Sequence, residues 1–166
     1  MCGRYGLTLD GQDLVGLLQL ELELDEALHL EPRYNIAPSQ RVPVVRLDRG
    51  DRRRLHQVQW GLVPSWAKEP GIGSKMINAR AETAAEKPSF RDALQRRRCL
   101  VPTDGFYEWA GTGRGPRQPH HIRRPDRGLF AIAGLHERWR DENGDWLETC
   151  TLVTVAANAR LAPVHH

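Results

Sequence analysis

The sequence predicts an α+β fold: a single domain with a largely antiparallel, barrel-like β core and short flanking helices. Three observations carry this. Strand-like runs outnumber helical ones, most of those runs are joined by tight turns, and 166 residues suffice to bury one core.

Taken in order, residues 10–31 read as a helix. Asp10 is a plausible cap, Leu14, Leu17, Leu18 and Leu22 recur at helical spacing, and Pro32 stops the run. Residues 41–48 read as a strand, 49–51 as a turn, and 56–60 as the returning strand of a hairpin. Pro64, Pro70 and several glycines make 61–73 a loop. Two short helices follow at 79–86 and 89–97, the second with Ser89 as its cap. Leu100-Val101-Pro102 starts a strand that leads to Gly105-Phe106-Tyr107-Glu108-Trp109. Residues 111–119 form a turn or mobile loop. Strands follow at 120–123, 129–135 and 147–156, broken by a turn at 141–145. The Gly-x-Gly at 111–113 does not run from a strand into a helix, so it carries no nucleotide-binding signal.

Composition narrows the class. No run approaches the roughly 20 apolar residues of a membrane span, and no signal peptide opens the chain. Cys2, Cys99 and Cys150 are odd in number, widely spaced and fit no zinc pattern, which reads as reduced cytoplasmic thiols. His120 and His121 are adjacent and have no identified third ligand, so neither a metal nor a cofactor is expected. Net charge is +3, and all but Lys68, Lys75 and Lys87 of the 24 cations are arginine. That bias suits phosphate binding, and a GC-rich genome produces it equally well. The runs at 52–54 and 96–98 read as solvated faces.

The most informative residue is Cys2. Trimming of the initiator methionine would leave an α-amine and a thiol on one residue. A 1,2-aminothiol condenses with an aldehyde: the amine forms a Schiff base, and the thiol closes a thiazolidine ring. An α-amine titrates near about 8 and a thiol near about 8.5, so usable fractions of both nucleophiles are expected at neutral pH. Cys2 could equally be a small residue entering a strand.

Other residues could serve such a centre. Glu108, between Tyr107 and Trp109, suits proton transfer or a cross-strand ion pair. His165 is a general acid/base candidate or a surface or tag histidine. Asn78 could orient an amine, cap a helix, or both. Arg4 and Arg80 could clamp phosphates. Trp66 is either a stacking platform for a base or a staple holding its loop.

Long ordered segments connect these residues: MCGRY (1–5), PRYNIAPSQ (32–40), WGLVPSWAK (60–68), INARAET (77–83), KPSFRDALQRRRCLVPTDGFYEW (87–109), FAIAGLHERW (130–139) and TLVTVAANARLAPVH (151–165). From first residue to last the chain resembles the SOS response-associated peptidase (SRAP) family. The resemblance implies a protein that crosslinks covalently to abasic sites in single-stranded DNA through a Cys2 thiazolidine. It implies that Asn78 positions the Cys2 amine or its first adduct, and that Glu108 shuttles protons. His165 would assist sugar-ring opening and crosslink reversal, and Thr154 would sit in the pocket. Arg4 and Arg80 would hold phosphates, Pro38 would wedge beside the lesion, and Trp66 would stack nearby. It further implies an enzyme, an autocatalytic peptidase that releases the residue before Cys2 from the same pocket. The partner would be abasic single-stranded DNA, bound by a monomer with no membrane contact.

The family pattern usually continues past the histidine, whereas this sequence stops at His166. The expectation is a SRAP domain over 1–166, shortened at its C-terminus and impaired in reversing the crosslink. Two other readings compete: a thiol-dependent peptidase acting on proteins, and a non-covalent reader of damaged DNA. Loss of function in Cys2→Ala would exclude the latter, and dependence on a DNA aldehyde would exclude the former.

Overall fold

The computed structural model describes residues 2–9, 11–18, 30–111 and 116–164. Ten strands dominate: β1 (Arg4–Leu7), β2 (Arg33–Ile36), β3 (Arg41–Leu47), β4 (Arg53–Trp60), β5 (Asn78–Arg80), β6 (Arg98–Thr103), β7 (Gly105–Ala110), β8 (Gln118–Ile122), β9 (Phe130–Arg140) and β10 (Trp146–Thr154). The helices are short: α1 (Gly11–Leu18), a 3-10 turn (Pro70–Lys75), α2 (Ala81–Ala84) and α3 (Arg91–Arg96).

Strands β4-β3-β6-β9-β10 form a five-stranded sheet that closes on itself, because β10 also pairs with β4 (Thr149 with Gln59, Cys150 with Trp60). That closing pair is parallel, as is β10–β5; the other pairings are antiparallel. The α+β class with a largely antiparallel barrel is therefore observed. Alternate residues of the barrel strands point inward and meet in one core: Val42 and Val44, Val58 and Trp60, Cys99 and Val101, Cys150 and Leu152. Of the remaining strands, β5 adds to β10, and the other four form a small sheet, β2-β1-β7-β8, whose Tyr5, Leu7 and Ile36 join the same core.

Both sheets are built from one continuous sequence run. The expected single strand from Leu100 to Trp109 divides at Asp104 into β6, in the barrel, and β7, in the small sheet. The Asp104 carboxylate fixes the corner by accepting from the Thr8 backbone N–H at 2.8 Å and from the Thr8 hydroxyl. Thr103 Oγ1 donates to the carbonyl of Gly6 at 2.8 Å. β1 is thereby held beside the corner.

Other boundaries move for local reasons. The run expected as a helix over 79–86 begins as β5, because Asn78–Arg80 pair with Leu152–Thr154; α2 follows at Ala81. Asn78 is consequently not a helix cap. Nor is Ser89: Phe90 occupies the cap of α3, with no side-chain cap hydrogen bond. Of the helix expected over 10–31, α1 covers Gly11–Leu18, with Leu14 fully buried; residue 10 and residues 19–29, Leu22 among them, lie outside the described residues, and Leu30 and Glu31 are not helical. In the loop after β4, Gly61 takes a φ of +131° and its Cα faces Gly73, where a Cβ would meet the Gly73 carbonyl at 2.7 Å. Glycine at 61 is what lets the loop cross itself so tightly. Among the described residues no helix is long and apolar enough to cross a membrane, and no three His, Cys, Asp or Glu side chains gather as a metal site.

Candidate active site at the N-terminus

Cys2 directly precedes β1 and is 8 % exposed. Its carbonyl accepts a hydrogen bond from Asn78 Nδ2 at 2.9 Å, although 76 positions separate the two residues. The parallel pairing of β5 with β10 sets Asn78 at this height. On the same amide, Asn78 Oδ1 is buried without a hydrogen-bond partner. A buried, unfilled acceptor is uncommon in a native fold. Here it belongs to a side chain in direct hydrogen-bond contact with Cys2.

Cys2 and Glu108 line one cleft of about 250 Å³, together with Phe106, Thr154, Leu161 and Val164. Glu108 is 7 % exposed, and β7 places it on the same side of the small sheet as Phe106, two residues away. Burial, reinforced by the negative charge of Glu108, pushes the Cys2 thiol up from 9.0 to about 12. A weak hydrogen bond from Sγ to the Arg4 carbonyl, at 3.6 Å, pulls the other way without restoring it. The expectation of a ready thiolate at neutral pH is therefore corrected: with the thiol removed from water, the proton must leave during the reaction and not before it.

The sequence-predicted residues separate into three groups. Cys2, Glu108 and Thr154 share the cleft, and Asn78 is bonded to Cys2. Arg80 is exposed and in register with Thr154, while Arg4 is half-buried and donates to Asn35 Oδ1 at 3.0 Å. Arg4 thus follows Cys2 by two residues and Arg80 follows Asn78 by two, on β1 and β5. Pro38 and Trp66 stand apart, since neither lines the Cys2 cleft. Pro38 sits in a turn at which Ser39 takes a φ of +71° and donates its N–H to the Trp60 carbonyl at 2.8 Å. Trp66 is 58 % exposed and borders a separate cleft of about 460 Å³ with Lys68 and Lys75. It is not the staple of its loop: Trp139 Nε1 donates to the Ala67 carbonyl at 2.7 Å and does that work. His165 lies outside the described residues, immediately after Val164 of the cleft wall.

Sequence reasoning missed the apolar wall. Phe106 was legible, because a strand repeats every second residue and Glu108 was already singled out. Leu161 and Val164 were not, because they reach the cleft through a turn in which Asn158 Oδ1 accepts from the N–H groups of Arg160 and Leu161. That turn follows β10 and folds back over the pocket. Its Ala156 N–H donates to Glu82 Oε1 at 3.3 Å.

Comparisons with known proteins agree on the whole chain. The sequence model of one family, SOS response associated peptidase (SRAP), matches residues 1–166. Abasic site processing protein YoqW of Bacillus subtilis is 42% identical over 165 residues, covering 99% of this chain and 73% of its own length. Abasic site processing protein YedK of Escherichia coli is 34% identical over 167 residues, covering 99% and 72%. A crystal structure of a protein from Bacteroides thetaiotaomicron superposes with a TM-score of 0.87 at 27% identity, over 98% of this chain and 72% of that one.

Proposed function

The chain belongs to the SOS response associated peptidase (SRAP) family, and from that premise we propose that it processes abasic sites in single-stranded DNA by forming a thiazolidine on Cys2. The observation that carries the proposal is the pairing of Cys2 with Asn78: the amide nitrogen holds the Cys2 carbonyl, and the amide oxygen is a buried acceptor without a partner. The names of the curated relatives support the substrate.

The chemistry follows from the geometry. An abasic deoxyribose in its open form carries an aldehyde at C1. The Glu108 carboxylate takes a proton from the Cys2 α-ammonium, and the freed amine, oriented by Asn78, adds to that carbon to give a carbinolamine. Glu108 gives the proton to the departing hydroxyl, water leaves, and an iminium remains. The Cys2 sulfur then adds to the same carbon. Its proton passes to Glu108, which releases it to solvent, and nitrogen is left as a neutral secondary amine. One C–N and one C–S bond form, one water and one proton are released, and Glu108 ends as the carboxylate it began. The high thiol pKa favours this order, since the amine attacks first and the thiol yields its proton only to the neighbouring carboxylate. Thr154 and the apolar wall shape the cleft, and Arg4 and Arg80 grip the phosphates on either side of the missing base. Pro38 and Trp66 act on the neighbouring bases. His165 assists opening of the sugar ring.

The same pocket serves a second reaction, release of a residue preceding Cys2. Sγ attacks the preceding carbonyl, Glu108 carries the thiol proton to the departing Cys2 amine, and water hydrolyses the resulting thioester.

A denaturing gel tests the main reading. Single-stranded DNA with one abasic site is mixed with protein whose Met1 removal has been checked by intact mass. A heat-stable shifted band with wild type and none with Cys2→Ala is the expected result. Equal bands from both proteins, or none from either, would overturn it. Cleavage of an unrelated peptide that proceeds without DNA would favour the protease reading instead.

A further inference from the structure

The small sheet has two faces, and the proposed chemistry uses one. Phe106 and Glu108 lie on the inner face with Tyr5 and Ile36. The outer face carries Arg4, Gly6, Gly105, Tyr107 and His121, brought together by register: Arg4 pairs with Tyr107, Gly6 with Gly105, and Tyr107 with His121. The rings of Tyr107 and His121 stack with centroids 4.7 Å apart and planes 19° from parallel. Two backbone features hold the pair in place. Tyr107 Oη donates to the Tyr34 carbonyl at 3.0 Å, which ties its ring across β1 to β2. Gly105 leaves the space that the His121 ring fills, since a Cβ there would collide with His121 Nε2. His121 is nevertheless exposed.

We propose that this outer face is a stacking platform for the DNA strand flanking the lesion, in which the Tyr107–His121 pair takes an unpaired base. The inference rests on the proposed function and extends its footprint. Continuity argues for it. Arg4, assigned to a phosphate beside the lesion, belongs to this face and stands next to Tyr107 in register. Arg4 is two residues from Cys2, about 7 Å along the strand; Tyr107 is one strand, about 5 Å, to the side of Arg4, and His121 one strand beyond Tyr107. A backbone leaving the Cys2 cleft past Arg4 runs onto the ring pair. An aromatic surface beside a cation matches single-stranded nucleic acid, because every base offers a π-face and no sequence is read. Its rings are already ordered, so little side-chain freedom is lost on binding.

The test uses single-stranded DNA containing a tetrahydrofuran abasic analogue, which has no aldehyde, with a 2-aminopurine placed at successive positions in both flanks. With wild type, fluorescence quenches at one flanking position, and affinity rises as that flank is lengthened. His121→Ala loses the quench and binds the long strand about tenfold more weakly. His121→Phe, which keeps a ring, restores both. Unchanged quenching in His121→Ala, or an affinity in wild type indifferent to flank length, overturns the inference and leaves the face to a protein partner. The crosslink of wild type to a true abasic strand is scored separately, so failure of the platform is distinguishable from failure of the chemistry.

Discussion

At the level of single residues, the centre is defined by what burial does to Cys2. A thiol held near a pKa of about 12 is a poor free nucleophile, whereas an α-amine, which titrates near about 8, is a good one. The two halves of the aminothiol should therefore separate experimentally. Cys2→Ala retains the amine, so it should form a Schiff base with abasic DNA that borohydride reduction traps, yet give no heat-stable band without the reductant. A band from Cys2→Ala that survives heating without reduction would show that the sulfur is dispensable. Asn78 makes a second prediction. Asn78→Ala removes one hydrogen bond to the Cys2 carbonyl and a buried acceptor proposed to orient the amine. At about 1–1.5 kcal/mol per bond, the crosslinking rate should fall at least about tenfold, with thermal stability little changed. Stopped-time gels at saturating DNA would read this directly.

Among the elements, the barrel strands divide their inner faces by polarity. The end nearest β1 and β5 is apolar, but continuing the alternation toward the other end reaches Arg46, His56, His136 and Glu148. The Arg46 guanidinium donates to His136 Nδ1 at 3.3 Å, to His56 Nδ1 at 3.1 Å and to Glu148 Oε1 at 3.0 Å. Because a guanidinium has no acceptor, His136 Nδ1 must be unprotonated. Burial, with the charges of Arg46 and Arg97, lowers His136 from 6.5 to about 4. Below pH 6.5 the unfolded ring takes up a proton that the folded ring refuses. This contribution to stability is therefore complete above pH 6.5 and is lost progressively as pH falls toward about 4. Tm measured from pH 7 to pH 5 should drop in wild type and drop less in His136→Gln, whose amide oxygen can still accept from Arg46. Equal slopes in the two proteins would remove His136 as the cause. The turn after β10 makes a separate case. Its Ala156 N–H meets the Glu82 carboxylate, so Glu82→Ala should loosen the cleft wall and slow crosslinking severalfold, while Glu82→Gln, which keeps the acceptor, should not.

For the molecule as a whole, the closed barrel is the support on which the site is hung. Leu152 is fully buried and in register with both Gly134 and Asn78, so it joins the core to the residue that holds Cys2. Leu152→Ala should cost about 2–5 kcal/mol and lower Tm by roughly 5–15 °C, measurable by differential scanning calorimetry. A shift within a degree or two of wild type would mean that the barrel repacks around the loss. The amino-acid sequence alone determined the fold class, the hairpins and the family. Alternation and turn residues are local properties, and the proposed aminothiol at position 2 is a matter of covalent structure. It also marked Glu108 and Asn78, though with helix capping still open for the latter. Local pattern could not separate β6 from β7, because the residues on both sides of Asp104 read alike as strand, and the bend at Asp104 with its pairing to different neighbours assigns the halves to different sheets. Nor could it reveal β5: three residues, Asn78–Arg80, have no strand signal of their own and become one by adding to the edge of β10. The buried state of the Cys2 thiol, the open acceptor on Asn78 and the apolar wall from Leu161 and Val164 all depend on contacts between distant segments. Tertiary structure alone decided these, because desolvation and hydrogen-bond satisfaction are fixed by what the closed barrel places around a residue and not by its neighbours in the chain.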